Sequence, residues 1–239
     1  MAATKRASLH WRIVRTLFEM LYRNRTLYWL ASTIPFAGQW RRWQRLVLPR
    51  ILGNDVLEIG CGIGTLLADM LESGYTCTAI ERSPQMIAAT RAELRRRGFS
   101  GAQDIVRHGS AQRLPFADAS FDTVVSTFPT EYIYDRATLA EIARVLRPGG
   151  RLVVVLGAAL LPANTLLLPF VAVQTLVYGR TAPSRASDSI GSTAPSDPLS
   201  PLLARAGLVP RGERVRGPFW IAHLVVAEKP VSPQNPTEN

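Results

Sequence analysis

Residues 56–64 narrow the choice of folds more than any other part of the chain. They read Val-Leu-Glu-Ile-Gly-Cys-Gly-Ile-Gly, an apolar run followed by glycine at three alternating positions. Glycine tolerates backbone dihedrals that other residues avoid, and its missing side chain lets a ligand approach the main chain. Because the N-terminus of a helix attracts anionic and nucleotide-like groups, this turn predicts a nucleotide-like ligand.

The segments after this turn alternate between short apolar runs and amphipathic stretches, which is typical of βαβ units and a mostly parallel sheet. We predict strands near 55–59, 76–81, 103–107, 121–126 and 151–156, with a closing antiparallel hairpin of 208–216 and 219–228. We predict helices at 64–73, 84–97, 136–147 and 199–207, the third of them stopped by Pro148-Gly149-Gly150. The class is therefore α/β.

The region before the turn predicts two amphipathic helices. The first carries Trp11, Val14 and Phe18 at helical spacing, and the second follows Pro35 with Trp40, Trp43, Val47 and Ile51 on one face. Within residues 1–55, ten basic side chains face two acidic ones, which places +8 of the net charge of +10 in this segment. Such an excess predicts an anionic partner, either nucleic acid or an acidic membrane surface.

The longest uncharged stretch lies between Arg151 and Arg180. After the predicted strand is subtracted, about 20 residues remain, enough to span a bilayer. A span would put the closing hairpin across the membrane from its own sheet, so we expect a helix that covers the active-site mouth or lies at an interface. Residues 181–201 are rich in Ser, Pro and Ala, which predicts a mobile loop.

These features divide the chain into five parts. Residues 1–52 hold the amphipathic helices, 53–156 the binding core, 157–201 the apolar helix and loop that cover the substrate, 202–230 the closing elements, and 231–239 a disordered tail. The two cysteines, Cys61 and Cys77, lack metal or disulfide spacing, which favours a reducing compartment. We therefore expect a cytoplasmic protein, with membrane association as an alternative.

An acidic residue, Glu81, ends the second predicted strand. A carboxylate at that edge can accept hydrogen bonds from both hydroxyls of a ribose, although an acid that caps the next helix would occupy the same place. A dinucleotide-binding loop would place Gly or Ala at position 65, where this chain has Thr65. That spacing disfavours a nicotinamide-dependent oxidoreductase, which stays an alternative.

Four motifs in order resemble the class I S-adenosylmethionine-dependent methyltransferases, and within them the branch of the ubiquinone and menaquinone methyltransferases. They are Val56–Gly64, Glu81, the Leu-Pro-Phe-Ala-Asp-Ala-Ser-Phe-Asp of residues 114–122, and the Arg-Val-Leu-Arg-Pro-Gly-Gly of residues 144–150. The resemblance covers residues 53–156 and is weaker over 199–228. It implies a Rossmann-like, doubly wound sheet of seven strands, mostly parallel, preceded by N-terminal helices.

The resemblance also implies which residues surround S-adenosylmethionine. The methionine part would lie against Glu58 and the Gly60–Gly64 backbone, with Glu81 on the ribose. The cofactor set as a whole is Glu58, Gly60, Cys61, Gly62, Gly64, Glu81, Arg82, Met86, Ser110, Ala111, Gln112 and Thr127. Arg82 and Met86 would flank the adenine. The family usually has Asp at position 110, where Ser110 accepts a hydrogen bond with less charge assistance.

The methyl acceptor should lie beyond the fourth strand, where residues 126–132 read Ser-Thr-Phe-Pro-Thr-Glu-Tyr. Glu131 and Tyr132 are the candidate catalytic residues, with Glu131 as a general base for a hydroxyl or a partner for an amine. Glu131 is equally well explained as an exposed loop acid. No histidine has metal spacing, so we predict no metal site.

The sequence thus predicts a methyltransferase that acts on a small, lipophilic acceptor, at a membrane surface if the basic, aromatic N-terminus binds anionic lipid. A nucleic-acid-binding protein or RNA methyltransferase, using the same basic segment on phosphates, is the alternative. The acceptor atom and the oligomeric state are left open by the sequence.

Overall fold

The computed structural model describes residue 36 and residues 38–161, 167–171 and 197–231. The first predicted amphipathic helix, the tail after residue 231 and most of the predicted substrate cover lie outside these residues. The site can therefore be built from the binding core, the second N-terminal helix and the closing hairpin.

Seven strands form one sheet. They are β1 Asp55–Ile59, β2 Thr76–Glu81, β3 Val106–His108, β4 Phe121–Thr127, β5 Leu146–Leu160, β6 Val209–Arg216 and β7 Trp220–Glu228. The sheet order is β3-β2-β1-β4-β5-β7-β6, in which β7 runs antiparallel to both β5 and β6 and the other pairs are parallel. The predicted fold class is confirmed.

The order reverses between β1 and β4, because the chain builds the sheet outward from β1 to β3 and then returns to the other side. Ligands of open α/β sheets bind at such a point, beyond the carboxyl ends of the strands. Both the glycine turn, which follows β1, and residues 128–132, which follow β4, lie at this edge. The topology therefore brings the two predicted parts of the site together.

The helices occupy the connections between strands. The α-helices among the described residues are Trp40–Gln44, Thr65–Glu72, Pro84–Arg96, Ala102–Ile105, Arg136–Val145 and Ser200–Arg205, and 3-10 helices cover Arg45–Arg50 and Glu131–Tyr134. Ser83 caps the helix that starts at Pro84, and Asp135 caps the one that starts at Arg136. Short polar caps of this kind satisfy the first amides of each helix.

Two sequence predictions need correction. The strand expected at 103–107 begins only at Val106, because a short helix, Ala102–Ile105, precedes it. The strand expected at 151–156 is longer and covers Leu146–Leu160, while the preceding helix ends at Val145 rather than at 147. Backbone pairing with β7 extends as far as Leu160, opposite Trp220, so the start of the predicted apolar insertion continues the sheet.

Apolar side chains fill both faces of the sheet. One face packs against the helices Thr65–Glu72 and Pro84–Arg96 and also against residues 40–50, which we call the arm. Trp43 and Val47 of the arm are fully buried, which confirms the apolar face predicted for the second N-terminal helix. Within the described part of the chain, none of the helices has the length and apolar composition needed to cross a bilayer.

Candidate cofactor site and its acceptor side

The glycine turn adopts the backbone conformation that its sequence predicts. Gly60, Gly62 and Gly64 have φ angles of 78°, 56° and 79°, in the left-handed region. A β-carbon added to Gly60 would lie 2.9 Å from the Tyr132 hydroxyl, and one added to Gly64 would lie 2.4 Å from Thr90. A larger residue at either position would be strained and would collide with the neighbouring side chain, so both positions require glycine.

Side chains from neighbouring elements brace this turn. The Thr90 hydroxyl donates to the Gly62 carbonyl at 2.6 Å and lies 3.6 Å from the Cys61 sulfur. Burial raises the pKa of the Cys61 thiol, which therefore stays protonated. Cys61 is a packing residue of the turn and not a nucleophile.

Glu81 connects the turn to the end of β2. One carboxylate oxygen accepts from the Gly62 amide at 3.1 Å, and the other accepts from the amides of Arg82 and Ser83 at 2.8 and 2.9 Å. The cap of the next helix is Ser83, whose hydroxyl accepts from the Met86 amide. A carboxylate accepts about four hydrogen bonds. To hold both hydroxyls of a ribose, Glu81 must therefore give up at least one of these backbone donors.

Glu58 lies beneath the turn with 1% of its surface exposed. Among the residues that the structure describes, its Oε2 atom has no hydrogen-bond partner, which is costly for a buried polar atom. Burial, together with the nearby charges of Glu81 and Asp69, raises the pKa of Glu58 to about 8. A cationic amine bound above the turn would supply the missing donor, so this residue fits the α-ammonium group of a methionine moiety.

The residues predicted around the adenine lie at the ends of β2 and β3. Met86 and Ala111 are buried, whereas Arg82 is exposed. The Ser110 hydroxyl donates to the side-chain oxygen of Gln112, whose amide donates to Asp135 at 3.1 Å. Two cavities of about 310 and 470 Å³ open beside His108, on the outer side of this region. Neither cavity is lined by residues of the glycine turn. The proposed cofactor position is therefore inferred from the backbone geometry of the turn and from Glu58.

The two candidate catalytic residues differ in where their side chains lie. The Tyr132 hydroxyl makes hydrogen bonds with the Ser126 hydroxyl at 2.7 Å and with the Ile59 carbonyl at 3.1 Å, between the ends of β4 and β1. It therefore faces the glycine turn. Glu131 is exposed on the same 3-10 helix. The structure brings Tyr132, but not Glu131, to the predicted cofactor position.

A buried glutamine of the arm spans the two halves of the site. The Gln44 amide donates to the Thr127 hydroxyl at the end of β4, and its oxygen accepts from the Thr65 hydroxyl at the start of the helix after the turn, both at 3.3 Å. Sequence reasoning did not single out Gln44, because a polar residue between arginines predicts a solvated face. The arm thus closes one side of the mouth.

Aromatic rings form the wall on the acceptor side. The ring of Phe128, directly after β4, stacks on Trp40 with centroids 4.1 Å apart and planes 24° apart. Trp43 lies 6.4 Å from Phe128 and 6.3 Å from Trp220 at the start of β7. Sequence analysis placed Trp40 and Trp43 on the apolar face of the second N-terminal helix, but their partners could not be inferred from it.

A buried ion cluster holds the arm in place. Asp69, on the helix after the turn, has a side chain that is 1% exposed and accepts from Arg41 of the arm at 2.5 Å and from Arg97 at 2.7 Å. Arg45 lies 3.4 Å from the same carboxylate. Burial would raise the pKa of Asp69, but the hydrogen bonds from Arg41 and Arg97 outweigh it and lower the pKa. This cluster was not predicted from the sequence.

Comparison with known proteins identifies the domain. Residues 57–154 match the family described as "Methyltransferase domain". A demethylmenaquinone methyltransferase of Mycobacterium sp. (strain JLS) is 36% identical over 146 residues, which cover 59% of this chain and 58% of that protein. The chain therefore spans little more than half the length of this relative. The predicted resemblance to class I S-adenosylmethionine-dependent methyltransferases of the menaquinone and ubiquinone type is confirmed.

Solved structures share the fold at low sequence identity. A methyltransferase of Thermotoga maritima matches with a TM-score of 0.52 at 19% identity and covers 92% of this chain and 99% of its own. A geranyl diphosphate C-methyltransferase of Streptomyces coelicolor A3(2) matches with a TM-score of 0.52 at 14% identity over 79% of this chain and 78% of its own. At such identities the likeness concerns the fold alone, because one fold serves many functions.

Proposed function

Because residues 57–154 form a class I methyltransferase domain, we propose that this chain transfers a methyl group from S-adenosylmethionine to a small, lipophilic acceptor. The observation that carries the proposal is the buried Oε2 atom of Glu58, which finds no hydrogen-bond partner in the described part of the chain and lies beneath the glycine turn. This arrangement fits a ligand with both a cationic amine and a nucleoside. The domain spans less than half of the chain, and the additional segments are proposed to select the acceptor.

The cofactor, when bound, supplies a methyl group on a positively charged sulfur. The chain's own residues hold it in place: Glu58 accepts from its amine, the backbone of the turn contacts its methionine part, and Glu81 takes the ribose. Arg82, Met86 and residues 110–112 enclose the adenine. Methyl transfer of this kind needs mainly alignment of the two reacting atoms, which well-placed binding groups provide.

Tyr132 is proposed to orient the acceptor. Its hydroxyl lies within hydrogen-bonding distance of the Ile59 carbonyl and of the Ser126 hydroxyl, and Ser126 reaches the same carbonyl at 3.2 Å. The proposal rests on the position of this hydroxyl beside the glycine turn, at the carboxyl ends of β1 and β4, where an acceptor would meet the cofactor. Glu131 keeps a proposed role as a base only if a bound acceptor reaches the exposed surface of its 3-10 helix.

The acceptor class is proposed from the lipophilic character of the wall and from the relatives. Trp40 and Phe128 have partly exposed aromatic rings beyond the end of β4, where acceptors of open α/β sheets bind, and the buried Trp43 and Trp220 lie behind them. The curated relatives carry the name demethylmenaquinone methyltransferase. We therefore propose a quinol-type acceptor as the first compound to test.

The arm gives little support to the nucleic-acid alternative. Each of its four arginines has an intramolecular partner: Arg41 and Arg45 pair with Asp69, Arg50 with Glu213 at 2.7 Å, and Arg42 lies 5.8 Å from the Trp220 ring. Guanidinium groups that are held by carboxylates are less available to phosphates. We propose that contact with a membrane, if the protein makes one, uses apolar residues near Leu168, which is 49% exposed.

The proposed activity can be tested by isotope transfer. The protein is incubated with S-adenosylmethionine that carries a trideuterated methyl group and with demethylmenaquinol in detergent micelles, and the lipid fraction is examined by mass spectrometry. The proposal expects a product heavier by one trideuterated methyl group in place of hydrogen. Absence of labelled product from this acceptor and from a total lipid extract would contradict the proposed function.

Membrane contact is tested separately by flotation with anionic and neutral liposomes. Co-flotation that falls when Leu168 is changed to Glu would support contact through this apolar region. Recovery of the protein in the dense fraction with both kinds of liposome would remove the membrane proposal without affecting methyl transfer.

A further inference from the structure

Phe128 has a backbone conformation that is unfavourable for its type. Its φ angle is 50°, in the left-handed region that bulky side chains rarely adopt. The amide of Phe128 donates to the Val155 carbonyl at 2.8 Å, so pairing with β5 holds the strained residue in register. Strain of this kind is concentrated at functional sites. The strained backbone of Phe128 directs its aromatic ring toward the arm, where the ring stacks on Trp40.

Two residues of the arm, Trp40 and Gln44, lie next to the ring of Phe128. Trp40 and Gln44 are four residues apart in the helix Trp40–Gln44, so their side chains lie on one side of it. Gln44 reaches Thr65 and Thr127, which mark the two sides of the mouth, and Trp40 stacks on Phe128 beside them. Both rings keep a partly exposed surface. Phe36 also packs on Trp40, with ring centroids 5.0 Å apart, so the stacked pair offers its partly exposed apolar margin next to the point where β4 ends.

This surface is fixed in place from behind. Trp43 is fully buried between Phe128 and Trp220, and Arg41 is held by the buried carboxylate of Asp69. A wall that is held on both sides loses little conformational entropy when a ligand binds to it, which favours selective binding of a matching shape.

We infer that Trp40 and Phe128 are the specificity-determining residues of the acceptor site, and that the exposed part of their stacked rings packs against a planar, conjugated ring of the acceptor. The inference rests on the proposed methyl transfer for the identity of the site. It adds that selection depends on the arm, outside the matched domain of residues 57–154. Offset stacking between aromatic rings supplies the attraction.

The test compares two substitutions of Trp40. Trp40→Leu keeps an apolar side chain but removes the plane, whereas Trp40→Phe keeps a plane. Each variant is first saturated with S-adenosylhomocysteine, and binding of 2-methyl-1,4-naphthoquinone is then measured by calorimetry. This probe is a planar ring and needs no turnover. We expect Trp40→Leu to weaken binding about tenfold and Trp40→Phe to stay within about threefold of wild type.

Control measurements separate the inference from the proposed function. Affinity for S-adenosylhomocysteine should change less than twofold in both variants, because Gln44 and not Trp40 makes the hydrogen bond from the arm to Thr65, at the end of the glycine turn. Where Trp40→Leu fails to fold, Phe128→Leu replaces it with the same expectation. The inference would be overturned if the wild type and the leucine variant bound the probe equally well, or if the wild type did not bind the probe. Failure to methylate any acceptor, with selective probe binding intact, would instead contradict methyl transfer alone.

Discussion

The two halves of the site are built in different ways. On the cofactor side, the glycine turn, Glu58 and Glu81 lie within 24 residues of sequence, and backbone groups make most of the contacts. On the acceptor side, Trp40, Phe128 and Trp220 come from distant parts of the chain and meet only through packing of side chains. The comparison shows that a local motif can define one ligand while long-range packing shapes the space for the other.

Asp69 is the residue that joins these halves, and its loss should have the largest effect. Asp69→Asn removes the charge that holds Arg41 and Arg97, and we expect it to lower the free energy of unfolding by about 3 kcal/mol. This value is at the low end for the loss of one partner of a buried ion pair, because the side chain of Arg41 is half exposed. Urea unfolding measures this. The matched control, Glu72→Gln, removes an exposed partner of Arg97 and should cost less than about 0.5 kcal/mol. Equal effects of the two changes would show that the cluster does not anchor the arm.

Substitution of Glu81 should break the cofactor side alone. Glu81→Ala removes the proposed ribose ligand and the acceptor of three backbone amides, and we expect affinity for S-adenosylhomocysteine to fall by at least about 1.5 kcal/mol. Calorimetry measures it, with thermal unfolding as the control for folding. Wild-type affinity in the folded variant would show that another residue binds the ribose.

Glu58 should make the stability of the ligand-free protein depend on pH. Its pKa is raised from an ordinary 4.5 to about 8, so between about pH 5 and 8 the folded state keeps a proton that the unfolded chain loses. Stability should therefore fall as pH rises through this window, by up to about 1.4 kcal/mol per pH unit. Urea unfolding at pH 6 and 8 tests this, and Glu58→Gln should remove that part of the slope. An identical slope in both proteins would mean that Glu58 is ionised in the fold.

The backbone strain at Phe128, on the acceptor side, should have a smaller effect on stability. Because φ is 50°, Phe128→Gly should be more stable than Phe128→Ala by about 1 kcal/mol, although both lose the ring. Thr130, with φ of −79°, supplies the control, and there Ala should be the more stable replacement. Thermal unfolding of the four variants measures both differences. A more stable Ala variant at position 128 would show that the backbone is not strained there.

Sequence analysis predicted the cofactor side better than the acceptor side for a physical reason. Strand periodicity and the glycine spacing are local signals, so β1, β2 and the turn could be placed within a residue. The extension of β5 to Leu160 could not be predicted, since it depends on pairing with β7 more than sixty residues later. The burial of Gln44 and Asp69 likewise depends on partners that are remote in sequence.

The most direct measurement is a calorimetric comparison of S-adenosylhomocysteine and NADH on the wild-type protein. The account predicts one site per chain for S-adenosylhomocysteine, with a dissociation constant on the order of micromolar, and no heat with NADH. Binding of NADH in preference to S-adenosylhomocysteine, or no binding of S-adenosylhomocysteine by the folded protein, would contradict the assignment of the glycine turn to a sulfonium cofactor.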